Sequence, residues 1–513
     1  MSSVLEDRFT AAPVHIDGEP ERVRRIREQA AERFNVLGWP TTRSEDWKYT
    51  SLATLANIDW KIDQRQPEGN DPASPFGDKP IAELMFVNGA LHANRSALAN
   101  EHPGIRVTPI REAMENESFA RHFTRYADYE KHAMTALNTA MWQDGAFIEI
   151  APGTLVEGFI HLLYVGGGNA DHPVMSHHRN LIVAGRGSQI TVVESFFGKG
   201  TYFTNTVTEI VAGDGAVVDH YKLENESLDA FHIGTVQIHQ ERASSVTSRT
   251  IATGGGLVRN EINAALTGEG ASLSMEGLFI LSGKQHVDNH TLIDHVAPHC
   301  DSVELFKGIL DENARGIFDG RIIVEPDAVK TNSRQTNKNL LLSETAVIDS
   351  KPSLEIHNDD GKCNHGSTIG QLDEEALFYL RARGIGAEEA RNLLVYAFAS
   401  EIVERMKIDV VRENAGRALF SRMPERRGRG ASAAAEKRRL PQLRPSPFPW
   451  LPPLTPHPTI LCTATACPPT SPSLSNPVRA AAPPAASHTA AQPPHPPNAH
   501  RRHAPSPHQC PRG

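Results

Sequence analysis

Apolar positions along the chain keep three successive rhythms. In the first segment Val23, Ile26, Ala30, Phe34 and Leu37 recur at spacings of three and four. That period predicts a helix over Pro20–Leu37, stopped by Gly38 and Pro40. The next stretch, TTRSEDWKYTSL (41–52), is a polar turn carrying two large aromatics, Trp47 and Tyr49. Aromatics in such a place read as an anchor that docks the helix on its neighbour. Residues 61–80 form a polar linker, Glu83–Asn88 a short strand ending at Asn88-Gly89, and mixed helical patterns continue to about Met141.

From about Gly145 to Ile356 the period shortens to two. β-branched runs such as SQITVVESFF, AVVDHYKL and ASLSMEGLFIL each follow a turn dipeptide. Small residues precede these runs at Ser188, Ala216, Ala243 and Ala271, spaced by 28, 27 and 28, and Ala328 lies 57 beyond Ala271. A fixed period in a β-rich region is the mark of a solenoid, whose rungs stack because none can bury its inner face alone. A β-sandwich has no reason to repeat its turn at one interval. The pattern therefore predicts a parallel β-helix, with the small residue at a tight corner and a narrow core of Val, Ile and Leu.

Helical spacing returns after Gly370. Asp373 is a good N-cap for EEALFYLRAR, with Gly384 as its stop. A second helix is predicted from Ala387 to Asp409, with Ala390, Leu393, Leu394, Ala397, Phe398, Val403 and Met406 on one face. The expected organisation is mainly β. It comprises an N-terminal mainly helical domain with linker (1–141), a parallel β-helix core (142–357), a C-terminal helical domain (358–423) and a Pro/Ala-rich tail (424–513).

Composition separates that tail from the body. Its 90 residues hold 22 of the 36 prolines, 11 of the 52 Lys and Arg, and 2 of the 61 Asp and Glu. It therefore carries +9 and leaves −18 for the rest. Such a tail cannot pack a core, and it reads as a disordered extension or the product of a shifted reading frame. A body this acidic is a poor nucleic-acid binder. Neither a membrane span nor a secretory signal is visible, so a cytoplasmic location is expected. Two cysteines in the body, Cys300 and Cys363, make no disulfide framework.

Common catalytic signatures are missing: there is no GxxxxGK[ST], GxSxG or HExxH. Two constellations remain. In QHVDNHTLIDHVAPHC (285–300), His286, Asp288 and His290 alternate, so a strand would put them on one face, either as a metal set or as a polar outer surface. In NDDGKCNHGSTIG (358–370), Cys363 and His365 form a Cys-x-His pair where strands give way to helices. Thiolate and imidazole both ligate iron and zinc. Two ligands complete no site, so the rest must come from a second chain or a substrate. A buried thiol beside a polar turn histidine is the alternative.

The stretches CDSVELFKGIL, GRIIVEPDAVKTNSRQTNKNLLLSETAVIDSKPSLEIHNDDGKCNHGSTIG and QLDEEALFYLRARGI resemble the SufB/SufD family of SUF-system iron–sulfur cluster assembly proteins. SEDWKYTSL, together with the lack of a cysteine-rich N-terminal segment, is similar to its SufD branch. The resemblance implies a right-handed parallel β-helix between helical domains, and a non-enzymatic scaffold. Its partners would be a SufB-like scaffold, met through the β-helix end, and a SufC-like ATPase, met through the C-terminal helices. Alone, such a chain pairs with a second copy. No cofactor is held stably. Iron or a nascent cluster would sit transiently at the partner junction, near His365 and Cys363. Gly361, Asn364 and Ser367 depart from the usual pattern, but none is a ligand. Two other classes stay open: a β-helix enzyme acting on polysaccharides, which would need exposed aromatics that this chain is short of, and a structural partner with no metal role.

Truncation after Met423 is expected to leave the fold and complex assembly intact. Thermal melting of the truncated body checks this, and a large fall in Tm would contradict it.

Overall fold

Strands of the β-rich region take their hydrogen-bond partners two elements away, not from the next strand in the chain. In the computed structural model, residues 9–62, 73–77, 79–93 and 102–422 are described. The tail beyond Arg422 lies outside the described residues. The strands are β1 (Ala82–Val87), β2 (Ala90–Leu91), β3 (Ile105–Pro109), β4 (Ala146–Ile150), β5 (Ile160–Gly167), β6 (Val174–Ala184), β7 (Gln189–Lys199), β8 (Tyr202–Ala212), β9 (Val217–Asn225), β10 (Phe231–Gln240), β11 (Ser245–Ala252), β12 (Leu257–Leu266), β13 (Ser272–Leu281), β14 (His286–His295), β15 (Asp301–Leu310), β16 (Arg315–Val324), β17 (Thr331–Leu341), β18 (Val347–Ile356) and β19 (Gly361–Gly370). Odd-numbered strands from β5 to β19 extend β1 and β2 in one sheet, and even-numbered strands from β4 to β18 extend β3 in the other. Pairing is parallel throughout the coil, as between β7 and β9 or β16 and β18. Among the described strands only β2 and β3, at the N-terminal end, pair antiparallel with a neighbour. This is the predicted β-solenoid. Its first strands come from within 1–141 and its last, β19, from beyond 358, so the coil reaches into both flanking segments.

Register explains the repeat. Gln189 pairs with Val217, Val217 with Ser245 and Ser245 with Ser272, in steps of 28, 28 and 27 residues. Before each strand the backbone turns through a left-handed residue: Gly187, Gly215, Ala243 and Gly270, with φ of 64°, 65°, 53° and 73°. The next residue is small and buried, and its N–H closes the turn on the carbonyl three back: Ser188 on Gly185, Ala216 on Gly213, Ser244 on Glu241 and Ala271 on Gly268. Ala328 closes on Glu325 in the same way. The expectation misplaced one of these. Ala243 is the exposed left-handed corner, and Ser244 takes the buried place.

Inside the coil, like residues stack on like. Ile190, Val218, Val246 and Leu273 are successive register partners and all buried. The interior is not uniformly aliphatic, contrary to expectation, because the next inward positions of β9 are His220, Lys222 and Glu224. Lys222 Nζ lies 2.8 Å from Glu224 Oε1 and donates to Asn260 Oδ1 at 2.7 Å. His232 sits 3.1 Å from Glu224 and 2.8 Å from Glu226. Buried charge is tolerated here because every member has a partner.

The N-terminal segment covers the outer face of the even sheet with α1 (Glu21–Leu37), α2 (Ala53–Ala56), α3 (Glu117–His122) and α4 (Ala133–Met141). The aromatic turn is the anchor it was read to be. Trp47 is buried, with the Arg259 guanidinium 3.9 Å from its ring centroid, and Thr50 donates to Asp288 at 2.5 Å. After β19 come α5 (Glu374–Ala382), α6 (Ala387–Val403) and α7 (Asp409–Ser421), of which α6 and α7 pack on the odd sheet. Asp373 caps α5 by accepting from Glu375 and Ala376, and Gly384, at φ 88°, makes the turn into α6. The single helix expected over Ala387–Asp409 is broken between Val403 and Asp409. Its buried face is Ala390, Val395, Ala399, Ile402 and Val403, while Leu393, Leu394 and Phe398 are half-buried. Among the described residues no helix is long and apolar enough to cross a membrane.

Trp47→Ala removes a buried aromatic and the lid over Arg259. It is expected to destabilise the protein by about 3–5 kcal/mol and to open residues 41–60 to protease. Denaturant unfolding with limited proteolysis reads both effects, and an unchanged digestion pattern would contradict the anchor.

Candidate functional site

A parallel coil cannot satisfy its own last rung. Among the described residues β18 pairs only with β16, and β19 only with β17, so each presents one backbone edge that no described strand covers. Nearly all of β19 is exposed, and the exposed positions of the rung include Val347, Ile356 and Ile369. An uncovered strand edge with apolar side chains is a template for pairing with another chain.

Cys363 and His365 stand on β19 itself, not at the strand-to-helix corner where the sequence pattern put them. Two apart, they project to the same face, which is the inside of the coil. Cys363 pairs in register with Ser333 and packs against the interior core. Burial pushes its thiol up, with the Ser333 backbone opposing. His365 pairs with Gln335, is exposed at the mouth, and has no hydrogen-bond partner for either ring nitrogen among the described residues.

Behind these two residues the interior turns polar. Gln335 lies in register between His365 and Glu304, and its Nε2 donates to Glu304 Oε2 at 2.7 Å. Gln335 Oε1 is buried and without a partner. Gly320 opposes this column. A Cβ there would stand 2.5 Å from Gln335 Nε2, so only glycine leaves the amide its room. Behind Cys363 the Ser333 and Ser302 hydroxyls meet at 2.7 Å, and Ser302 reaches His295 Nε2 at 2.9 Å. Phe306 and Phe318, with ring centroids 5.1 Å apart, form the apolar floor. Burial pushes the Glu304 carboxyl up to about 7, against the stabilising contacts of Thr291 and Gln335.

His286, Asp288 and His290 do share a strand face, the outer one, and the N-terminal segment covers it. Asp288 accepts from Thr50 and Arg259 and lies 3.0 Å from His290. Burial alone would raise its carboxyl, but the Arg259 guanidinium holds it well below the usual range. The triplet is therefore part of the anchor. Among the described residues no group of three or more His, Cys, Asp and Glu is placed to hold a metal ion. Glu304 and Gln335 were missed as site residues. One signal was available: TNSRQTNKN of β17 is polar at inward and outward positions alike, which no ordinary core strand is.

Comparison with known proteins places these features in a family. Residues 165–398 match the family described as SUF system FeS cluster assembly, SufBD core domain, and residues 7–162 match the SufBD protein N-terminal region. The chain is 32% identical to an iron–sulfur cluster assembly SufBD family protein of Synechocystis over 396 residues, covering 74% of this chain and 87% of the relative. It is 28% identical to the iron–sulfur cluster assembly protein SufD of Escherichia coli, covering 77% and 92%. With SufD of Bacillus subtilis it is 27% identical, again covering 77% and 92%.

A carboxyl near 7 when folded, against 4.5 unperturbed, favours the folded state fully below about pH 4.5 and loses that contribution as pH rises through about 7. Asp144, raised to about 7, and Glu226, raised to about 8, act with the same sign. Glu304→Gln removes one of the three, so its Tm should fall less than wild type between about pH 5 and pH 7. Equal falls would contradict a carboxyl buried as the structure has it.

Proposed function

Because the chain belongs to the SufB/SufD family of SUF-system iron–sulfur cluster assembly proteins, we propose that it is a non-catalytic scaffold subunit of the assembly complex. It pairs through the open end of its coil with a SufB-like scaffold, and through its C-terminal helices with a SufC-like ATPase. Iron or a nascent cluster is cargo at the first junction, not a resident cofactor. The observation that carries this reading is His365 at the mouth of a rung whose strands β18 and β19 have no outer partner among the described residues.

Imidazole is a good iron ligand when neutral, and one exposed ring can bind only in company. The partner's last rung supplies the remaining donors when the two coil ends meet edge to edge. Cys363 is the secondary companion. Its inward direction and raised thiol disfavour the thiolate that ligates iron. Without the SufB-like chain, the same open end pairs with a second copy. On the other side α5 buries none of its residues, and Phe378 and Tyr379 stand 74% and 56% exposed beside Glu374 and Glu375. An apolar pair at that exposure suits a protein partner.

His365→Ala is expected to leave the three-protein complex intact and to cut its iron and sulfide content about tenfold in anaerobic reconstitution. Cluster formation at the normal rate would end the ligand assignment. Phe378→Glu, at an exposed site, should leave Tm within about 0.5 kcal/mol equivalent of wild type. It should still weaken co-purification with the SufC-like ATPase, and undiminished co-purification would move that docking surface elsewhere.

A further inference from the structure

We propose that Gln335, pinned by Glu304, positions the His365 imidazole, holding one ring N–H so that the other nitrogen presents its lone pair at the mouth of the coil. The inference rests on the functional reading above and adds the device that orients its ligand.

Three observations carry it. First, Glu304, Gln335 and His365 occupy one inward column on β15, β17 and β19, each the register partner of the next. Neighbouring strands lie about 4.8 Å apart, so the imidazole and the Gln335 amide stand on adjacent rungs; no hydrogen bond joins them in this structure, and a side-chain rotation would bring them together. Second, Glu304 decides which way that amide points. Its oxygen accepts from Gln335 Nε2 at 2.7 Å, which turns Oε1 away from Glu304. Third, Gln335 Oε1 is fully buried and has no partner among the described residues, while the exposed His365 ring makes no hydrogen bond to any described residue.

A buried carbonyl left without a partner, one rung from a solvent-facing N–H, has a hydrogen bond to gain from it. Closing it fixes the tautomer and the ring orientation and raises the basicity of the opposite nitrogen. A partner of this kind usually backs a metal-binding histidine. Gln335 is thus a positioning residue, and Gly320 keeps the space in which its amide lies.

The test is 15N NMR of the full chain labelled at histidine, at a pH where the ring is neutral, with His365 assigned by its loss in His365→Ala. Wild type should show one dominant tautomer. Gln335→Met, close in volume but without the acceptor, should give the mixture of a free imidazole while far-UV and near-UV dichroism stay unchanged. Glu304→Gln frees the amide to flip and should move the populations the same way, to a smaller extent. It also serves if Gln335→Met fails to fold. In the assembled complex Gln335→Met should bind iron about tenfold more weakly. A free-imidazole mixture in wild type would overturn the inference, as would an unchanged tautomer in whichever variant folds. If that happened while His365→Ala still lost iron, the ligand reading would stand alone. If the tautomer depended on Gln335 but His365→Ala kept its iron, the positioning would stand and the functional reading would fall.

Discussion

Parallel register is the interaction on which the rest of this molecule depends. Each strand satisfies its backbone against the strand one full turn earlier and the strand one full turn later. That requirement sets the residue interval, the left-handed corner and the small buried residue after it. It also has an unavoidable end. At the N-terminal side the sheets finish in the antiparallel strands β2 and β3. At the C-terminal side no described strand follows β18 and β19, and the chain departs through α5 into α6 and α7, which lie on the outer face of the odd sheet. The coil therefore ends in short antiparallel strands on one side and in two ten-residue parallel strands on the other, and the candidate ligand stands on the second.

The interior of the coil changes character along its length. Aliphatic ladders and the Phe86–Tyr164–Phe196 stack fill the first rungs, a paired charge cluster around Lys222 follows, and the Phe306–Phe318 pair lies towards the polar mouth. Polar residues at inward positions weaken the core where it meets the opening. Their hydrogen bonds, Ser302 to Ser333 and Gln335 to Glu304, recover part of that loss and make the last rungs specific. Stability is supplied elsewhere, by Trp47 over Arg259 and by the buried faces of α6 and α7.

Much of this was legible beforehand. The interval between Ser188, Ala216 and Ala271 revealed the solenoid, because turn chemistry repeats only when geometry does. The helix over 21–37, the Asp373 cap and the Gly384 turn follow from local rules. Three things were not legible. Ala243 and Ser244 are both small, so composition could not tell which is the corner. The His286/Asp288/His290 face looked like a metal set because its cover comes from residues more than 230 positions earlier. And Cys363–His365 looks like a corner in the sequence, because the strand residues around the pair, GKCNHGSTIG, carry almost no apolar alternation. No described strand buries this last rung, and it displays no hydrophobic pattern.

The central claim is that the open rung is the surface that meets the SufB-like partner. Photo-crosslinking tests it most directly. A benzophenone-bearing residue is placed at Thr368 on β19 or, as a control, at Val36 on α1, which is 75% exposed. Each protein is irradiated with the SufB-like chain present. The account predicts a covalent heterodimer from Thr368, mapped to the partner's own last rung, and none from Val36. Crosslinking from Val36 with none from Thr368 would contradict it.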